Sequence, residues 1–194
     1  TNHPLTSILR HVTARGEQMV VIGGPTAINE MDRYLKEGLC HFAVEGEGED
    51  RLNYLLDIYE DRYDASEPVS GISFLSEGRV LRTEGKCASV ELKGNLIASY
   101  AAVDVEQYCR VGSLNPYSRM AGQDTVYGVF QLSRGCRGNC KFCGVRSFMG
   151  KGVRTHPVDE LIEEIRYLVE QRSVRHFEVL DDDLLADRKG VTKL

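Results

Sequence analysis

The chain has 194 residues, a formal net charge of −5 and six cysteines but no tryptophan. That length holds one large domain or two small ones, with ample apolar content for a core. Lysine and arginine are scattered, which excludes the basic stripe of a nucleic-acid binder, and no apolar run reaches membrane-spanning length.

LTSILRHVTARG (5–16) reads as an amphipathic helix closed by Gly16. MVVIGG is a buried strand running into Gly23 and Gly24. In INEMDRYLKEGL, Ile28, Met31, Tyr34 and Leu35 recur at helical spacing. HFAVEGEGE is a second strand and turn containing Gly46 and Glu47, and EDRLNYLLDIYE is the helix after it. Strands alternating with helices predict parallel βαβ units. A doubly wound sheet holds about five or six strands. Two are visible here, so residues 1–60 are expected to be the back half of a domain.

Residues 61–123 break the pattern and read as a connector. GISFLSEGRVLRTEG predicts a β-hairpin turning at Glu77-Gly78. DVEQYCRVGSLNPYSRMAG is turn-rich, with its tyrosines and Met120 expected to pack. Cys87 and Cys109, in this stretch, are expected to be small buried hydrophobes.

The βαβ pattern resumes in residues 124–194. VYGVFQLSRGC is a strand delivering Cys136 at its end. PVDELIEEIRYLVEQR is a helix with Pro157 at its first position and Asp159 and Glu160 at the positive end of its dipole. Leu161, Ile162, Ile165, Leu168 and Val169 form its apolar face. HFEVLDDD is the next strand, ending in Asp181, Asp182 and Asp183. Ligand residues gather at the carboxyl ends of such strands, and both the cysteine loop and the aspartates fall there.

Cys40, Cys87 and Cys109 stand singly, whereas Cys136, Cys140 and Cys143 form one tight group. That asymmetry argues against a secreted disulfide framework and for a reducing, cytoplasmic location. A structural zinc takes four ligands, so His156 or His176 would have to complete the three thiols. A disulfide would strand one of them. A [4Fe–4S] cube has four corners, and three cysteines leave one iron open to a small molecule, which fits the spacing best.

The run C-R-G-N-C-K-F-C resembles the CxxxCxΦC signature of the radical S-adenosylmethionine (SAM) superfamily, with Phe142 as the aromatic before the last cysteine. GVRSFMGKGVRTHPVDELIEEI is similar to the loop and first helix of its cobalamin-binding branch, with Gly150 and Arg154 in step. HFEVLDDDLLAD resembles that branch's second strand and its paired aspartates. VVIGGPTA and FAVEGEGED look like the last two strands of its Rossmann-like cobalamin-binding domain. The sequence departs from the pattern at His156, where the family often has arginine, and at Asp183, where it often has asparagine. An Asp-x-His-x-x-Gly cobalt-ligand motif is absent.

The resemblance implies an α/β fold: the C-terminal half of a Rossmann-like cobalamin-binding domain, then the first βαβ unit of a partial TIM-type barrel. It implies that Cys136, Cys140 and Cys143 hold a [4Fe–4S] cluster whose open iron chelates SAM for reductive cleavage to a 5′-deoxyadenosyl radical. Phe142 would contact the adenine, and Asp181 and Asp182 the methionyl ammonium. Gly23, Gly24, Gly46 and Glu47 would face cobalamin, used in methyl transfer or rearrangement of a small-molecule or natural-product-type substrate. A flavodoxin or ferredoxin would supply electrons, with no membrane or nucleic-acid partner. Arg146, Lys151 and Arg154 would neutralise SAM or phosphate, or form a solvated face. The alternatives are a cobalamin-independent radical SAM enzyme such as a methylthiotransferase, and a zinc-stabilised binding module. Residues 1–194 alone are expected to be a fragment that cleaves SAM slowly or not at all.

Overall fold

The first sheet begins with two short parallel strands, Val21–Ile22 (β1) and Phe42–Val44 (β2), in which Val21 lies opposite Phe42 and Ile22 opposite Ala43. The computed structural model in which they are seen describes residues 4–16, 18–62, 69–84, 91–94, 96–111 and 125–194. Cys87, Met120 and the rest of 112–124 lie outside the described residues. Successive strand residues point to opposite faces. Ile22 and Ala43 pack with Leu9 of helix α1 (Pro4–Thr13) and with Tyr34 and Leu35 of α2 (Pro25–Lys36). Val44, with Val21 and Phe42, packs on Leu55 of α3 (Glu49–Tyr59). Helices therefore cover both faces, as a parallel pair requires.

The expected hairpin forms from β3 (Ile72–Ser76) and β4 (Arg79–Arg82). Both turn residues have positive φ, Glu77 at 48° and Gly78 at 76°, the geometry that matches strand twist in a two-residue hairpin. Rather than standing in a connector, it extends the first sheet, whose order is β1-β2-β3-β4. Strand β3 runs antiparallel to β2, pairing Phe42 with Phe74 and Val44 with Ile72. Ile72 is 1% exposed and completes the cluster around Leu55. Alternation along a hairpin shows which face is apolar but not which strand lies beside it.

By packing, residues 1–90 with Ser147–Gly150 form one unit, and residues 91–146 with 151–194 form another. The second contains helices α4 (Ile97–Ala102) and α5 (Val105–Val111), then β5 (Tyr127–Phe130) and β6 (Ser133–Cys136). Strand β7 (Gly152–Thr155), α7 (Val158–Gln171), β8 (His176–Val179) and α8 (Arg188–Lys193) follow, while helix α6 (Val145–Met149) is divided between the units at Ser147. Strands β5 and β8 are parallel, from Tyr127 opposite His176 to Phe130 opposite Val179. Leu168 of α7 and Val174 pack against Val105 beneath them. Cys109 does more than fill space: its thiol bonds both the carbonyl (3.3 Å) and the N–H (3.4 Å) of Tyr127, at the start of β5.

One expectation needs correction. VYGVFQLSRGC is not a single strand but breaks at Gln131 and Leu132. Strand β5 stays with β8, while β6 turns away to pair antiparallel with β7. The backbone of Leu132, fully buried, bonds elsewhere: its N–H donates to Asp181 (2.8 Å) and its carbonyl accepts from the His156 N–H (2.8 Å). Gly135 has φ +92°, and a Cβ there would lie 2.3 Å from the Gly152 carbonyl oxygen, so only glycine allows β6 and β7 to close.

Glu164 of α7 is 2% exposed and accepts the Leu96 N–H at 2.9 Å. Burial pushes its carboxyl above the usual range. A proton held more tightly in the folded chain favours folding fully below the unfolded pKa, and that contribution is lost as pH rises through the raised folded value. Glu164→Gln keeps an acceptor for Leu96 and removes the ionisation. It is expected to be at least as stable as the parent at pH 7 in urea denaturation, with the difference closing as pH falls into the carboxylate range. A parent that is the more stable at pH 7 would contradict this.

Candidate metal centre

Strands β6 and β7 form a hairpin stem, with Cys136 paired to Gly152. Cys140 and Cys143 lie in the loop that the stem closes, and both are exposed; Cys136 is half-buried. The five described cysteines, these three included, are free thiols. The Gly138 N–H donates to Cys136 Sγ at 3.2 Å, and the Cys143 N–H to the Cys140 carbonyl at 3.1 Å. A Cβ on Gly138 would lie 3.3 Å from Cys136 Sγ and 3.7 Å from Cys140 Sγ, so the bare glycine leaves room between two sulfurs. Two sulfurs beside that space and the third thiol, Cys143, on the same loop are soft donors of the kind a thiolate-ligated metal group takes. Among the described residues, no three Cys, His, Asp or Glu groups are gathered closely enough for a single metal ion. Phe142 is 93% exposed on the same loop.

The two histidines that could complete a zinc site lie apart in role. His176 opens β8, three residues before its other end at Val179, which at about 3.3 Å per residue puts it about 10 Å from the end that leads to Asp181. His156 is beside β6, with Nδ1 buried and lacking a hydrogen-bond partner. Burial, then the charge of Arg134, lowers its pKa, so it is neutral at pH 7.

The three aspartates after β8 do different things. Asp181 accepts the Leu132 N–H on one oxygen (2.8 Å) and the Ser133 hydroxyl on the other (2.5 Å). Both oxygens expected to meet a methionyl ammonium thus already bind the chain itself. Asp182 is exposed. Asp183 accepts three bonds from Arg137, and the guanidinium holds its carboxyl down to about 2.

In the first unit, Gly23 and Gly24 follow β1 and Gly46 follows β2, so both turns lie at the carboxyl ends of neighbouring parallel strands. Gly24 (φ 79°) and Gly46 (φ 69°) need the left-handed region that glycine tolerates. Glu47 is 9% exposed. Arg51, also buried, donates from Nη1 to the Glu47 carbonyl and from Nε to the Ser70 carbonyl, both at 2.6 Å. Sequence reasoning missed Arg51, although its spacing of four from buried Leu55 marks an inward position. It also missed Ser133 and Arg137, which carried no local signal.

The mixed α/β fold is similar to that of solved cobalamin-dependent radical SAM enzymes. The radical SAM methyltransferase TsrM of Kitasatospora setae, solved with cobalamin and a [4Fe–4S] cluster bound, superposes with a TM-score of 0.66 at 16% identity. The match covers 97% of this chain and 35% of that one. In sequence, an uncharacterised methyltransferase of Pyrococcus horikoshii is 29% identical over 171 residues, 88% of this chain and 34% of that protein. The anaerobic magnesium-protoporphyrin IX monomethyl ester cyclase of Synechocystis sp. is 30% identical over 171 residues, 85% and 30% of the two. The ribosomal protein uS12 methylthiotransferase RimO of Chlamydia pneumoniae is 25% identical over 175 residues, 83% and 36%. The chain spans about a third of the length of these curated relatives. No family model matches it. The resemblance carried by the cysteine motif is therefore matched by relatives in sequence and by neighbours in fold.

If Asp181 ties β8 to the bend at Leu132, Asp181→Ala should cost about 1–3 kcal/mol of stability, because it leaves the Leu132 N–H and the Ser133 hydroxyl at the bend without their acceptor. Urea denaturation of the metal-free chain reads this. An unchanged midpoint would leave Asp181 without that structural role.

Proposed function

We propose that the chain is part of a radical SAM enzyme, and that Cys136, Cys140 and Cys143 hold three irons of a [4Fe–4S] cluster. The observation that carries this reading is the group of three free thiols on one loop closed by the β6–β7 stem, with the Cys136 and Cys140 sulfurs beside the bare Gly138. When bound, the cluster supplies the electron that cleaves the sulfonium C–S bond of SAM and yields a 5′-deoxyadenosyl radical. The chain's part is to place and shield. The β6–β7 stem fixes the first thiolate, and exposed Phe142 is available to cover an adenine. Exposed Asp182 is the aspartate of the expected pair left to meet an ammonium, since Asp181 serves the bend.

The turns at Gly23-Gly24 and Gly46-Glu47 support a cobalamin site at the ends of β1 and β2, where the Rossmann-like rule puts ligands. The proposed reaction is cobalamin-assisted methyl transfer or rearrangement on a small molecule, driven by a flavodoxin or ferredoxin in the cytoplasm. The partial-barrel arrangement expected for residues 124–194 belongs to the same proposal. The likeness to RimO favours a second reading, a cobalamin-independent methylthiotransferase, although these residues contain only one cysteine triad.

Anaerobic reconstitution with iron and sulfide tests the central claim. The parent is expected to bind iron and labile sulfide, with a broad visible absorption that dithionite bleaches. Cys140→Ala should abolish this and Cys109→Ala should not. Bound metal that proves to be zinc alone would overturn the reading in favour of a binding module.

A further inference from the structure

Asp183 lies beyond the end of β8, 46 residues from Arg137, yet the two share three hydrogen bonds. Arg137 Nε donates to Oδ2 at 2.8 Å, Nη2 to Oδ1 at 3.0 Å, and the Arg137 backbone N–H to Oδ2 at 3.2 Å. Arg137 directly follows Cys136, and Oδ2 of the same carboxylate lies 3.8 Å from Cys136 Sγ. The Asp183 side chain is 17% exposed against 62% for Arg137, so the acid is held in the fold and the arginine reaches in to it from the loop. Bidentate pairing fixes direction as well as distance, which a lone charge does not. A carboxylate this close to a thiolate would repel it. The guanidinium between loop and strand offsets that repulsion, and the backbone bond holds the first residue of the loop in place.

We propose that Arg137 and Asp183 form a latch that fastens the cysteine loop to the tip of β8 and keeps Cys136 in its ligating position, so that this ion pair sets how long the chain retains its cluster. The proposal rests on the cluster reading above. It also gives a physical meaning to Asp183, where the resemblance leads one to expect asparagine. An asparagine has one acceptor oxygen and no charge, so it could not give Nε and Nη2 an oxygen each or supply the ionic part of the pair.

The test compares the reconstituted parent with Asp183→Asn, Arg137→Gln and the double variant, with Cys140→Ala as the blank. Each is diluted anaerobically into excess chelator, and the loss of visible absorption is timed. The singles are expected to lose iron about tenfold faster than the parent, and the double no faster than either single, as two halves of one device should behave. Arg137→Lys, which keeps the charge and a single donor, should fall between parent and Arg137→Gln; it decides the matter if the glutamine or asparagine variants fail to fold. The electron paramagnetic resonance spectrum of the dithionite-reduced cluster should shift in the singles, which a general loss of stability would not produce. Equal lifetimes in parent and variants, or additive losses in the double, overturn the latch and leave the cluster reading standing. A parent that takes up no iron overturns both.

Discussion

A carboxylate that bonds two groups across a strand break shapes the second unit. Where β5 ends, the chain either continues beside β8 or leaves it. Asp181 settles this by taking the Leu132 N–H and the Ser133 hydroxyl, so that the polar groups at the bend are satisfied although Leu132 and Ser133 are buried. A buried N–H without a partner would cost about 1–3 kcal/mol. With the bend secured, β6 is free to pair with β7, and the cysteines ride on that hairpin rather than on the parallel sheet itself.

The hairpin separates two requirements that usually conflict. A ligand loop has to be open enough to receive a bulky group, and rigid enough to hold its thiols at fixed spacing. Openness comes from Gly138 and from the exposed positions of Cys140 and Cys143. Rigidity comes from the stem, where Gly135 lets two backbones approach more closely than any side chain permits. Three consecutive aspartates then divide the work: the first secures the bend, the second is exposed, and the third pairs with the residue after the first cysteine.

The first unit uses a different device at its own strand ends. Gly24 and Gly46 supply the left-handed turns, and Arg51 reaches from the first half of α3 to the carbonyls of Glu47 and Ser70. A Cβ on Gly71 would come within 2.8 Å of Arg51 Nε, so that glycine is the space into which the guanidinium fits. The turn after β2 is therefore held from behind by a buried cation whose hydrogen bonds go to backbone oxygens.

Much of this was legible in the residues themselves. Alternating apolar runs and helical spacing located β1, β2, β8 and helices α1, α2, α3 and α7, because burial imposes those periods wherever an element packs. The Glu77-Gly78 turn was visible because a two-residue hairpin needs positive φ. The three cysteines were visible because the chemistry they resemble depends on spacing along the chain. Tertiary structure alone decided that the hairpin joins the first sheet, that VYGVFQLSRGC breaks in two, that Asp181 bonds Leu132 and Ser133, and that Asp183 meets Arg137. Each of these depends on a partner between 16 and 49 residues away. A local pattern records which face of an element is apolar and which residues can bond, but only the folded chain determines which distant group accepts the bond.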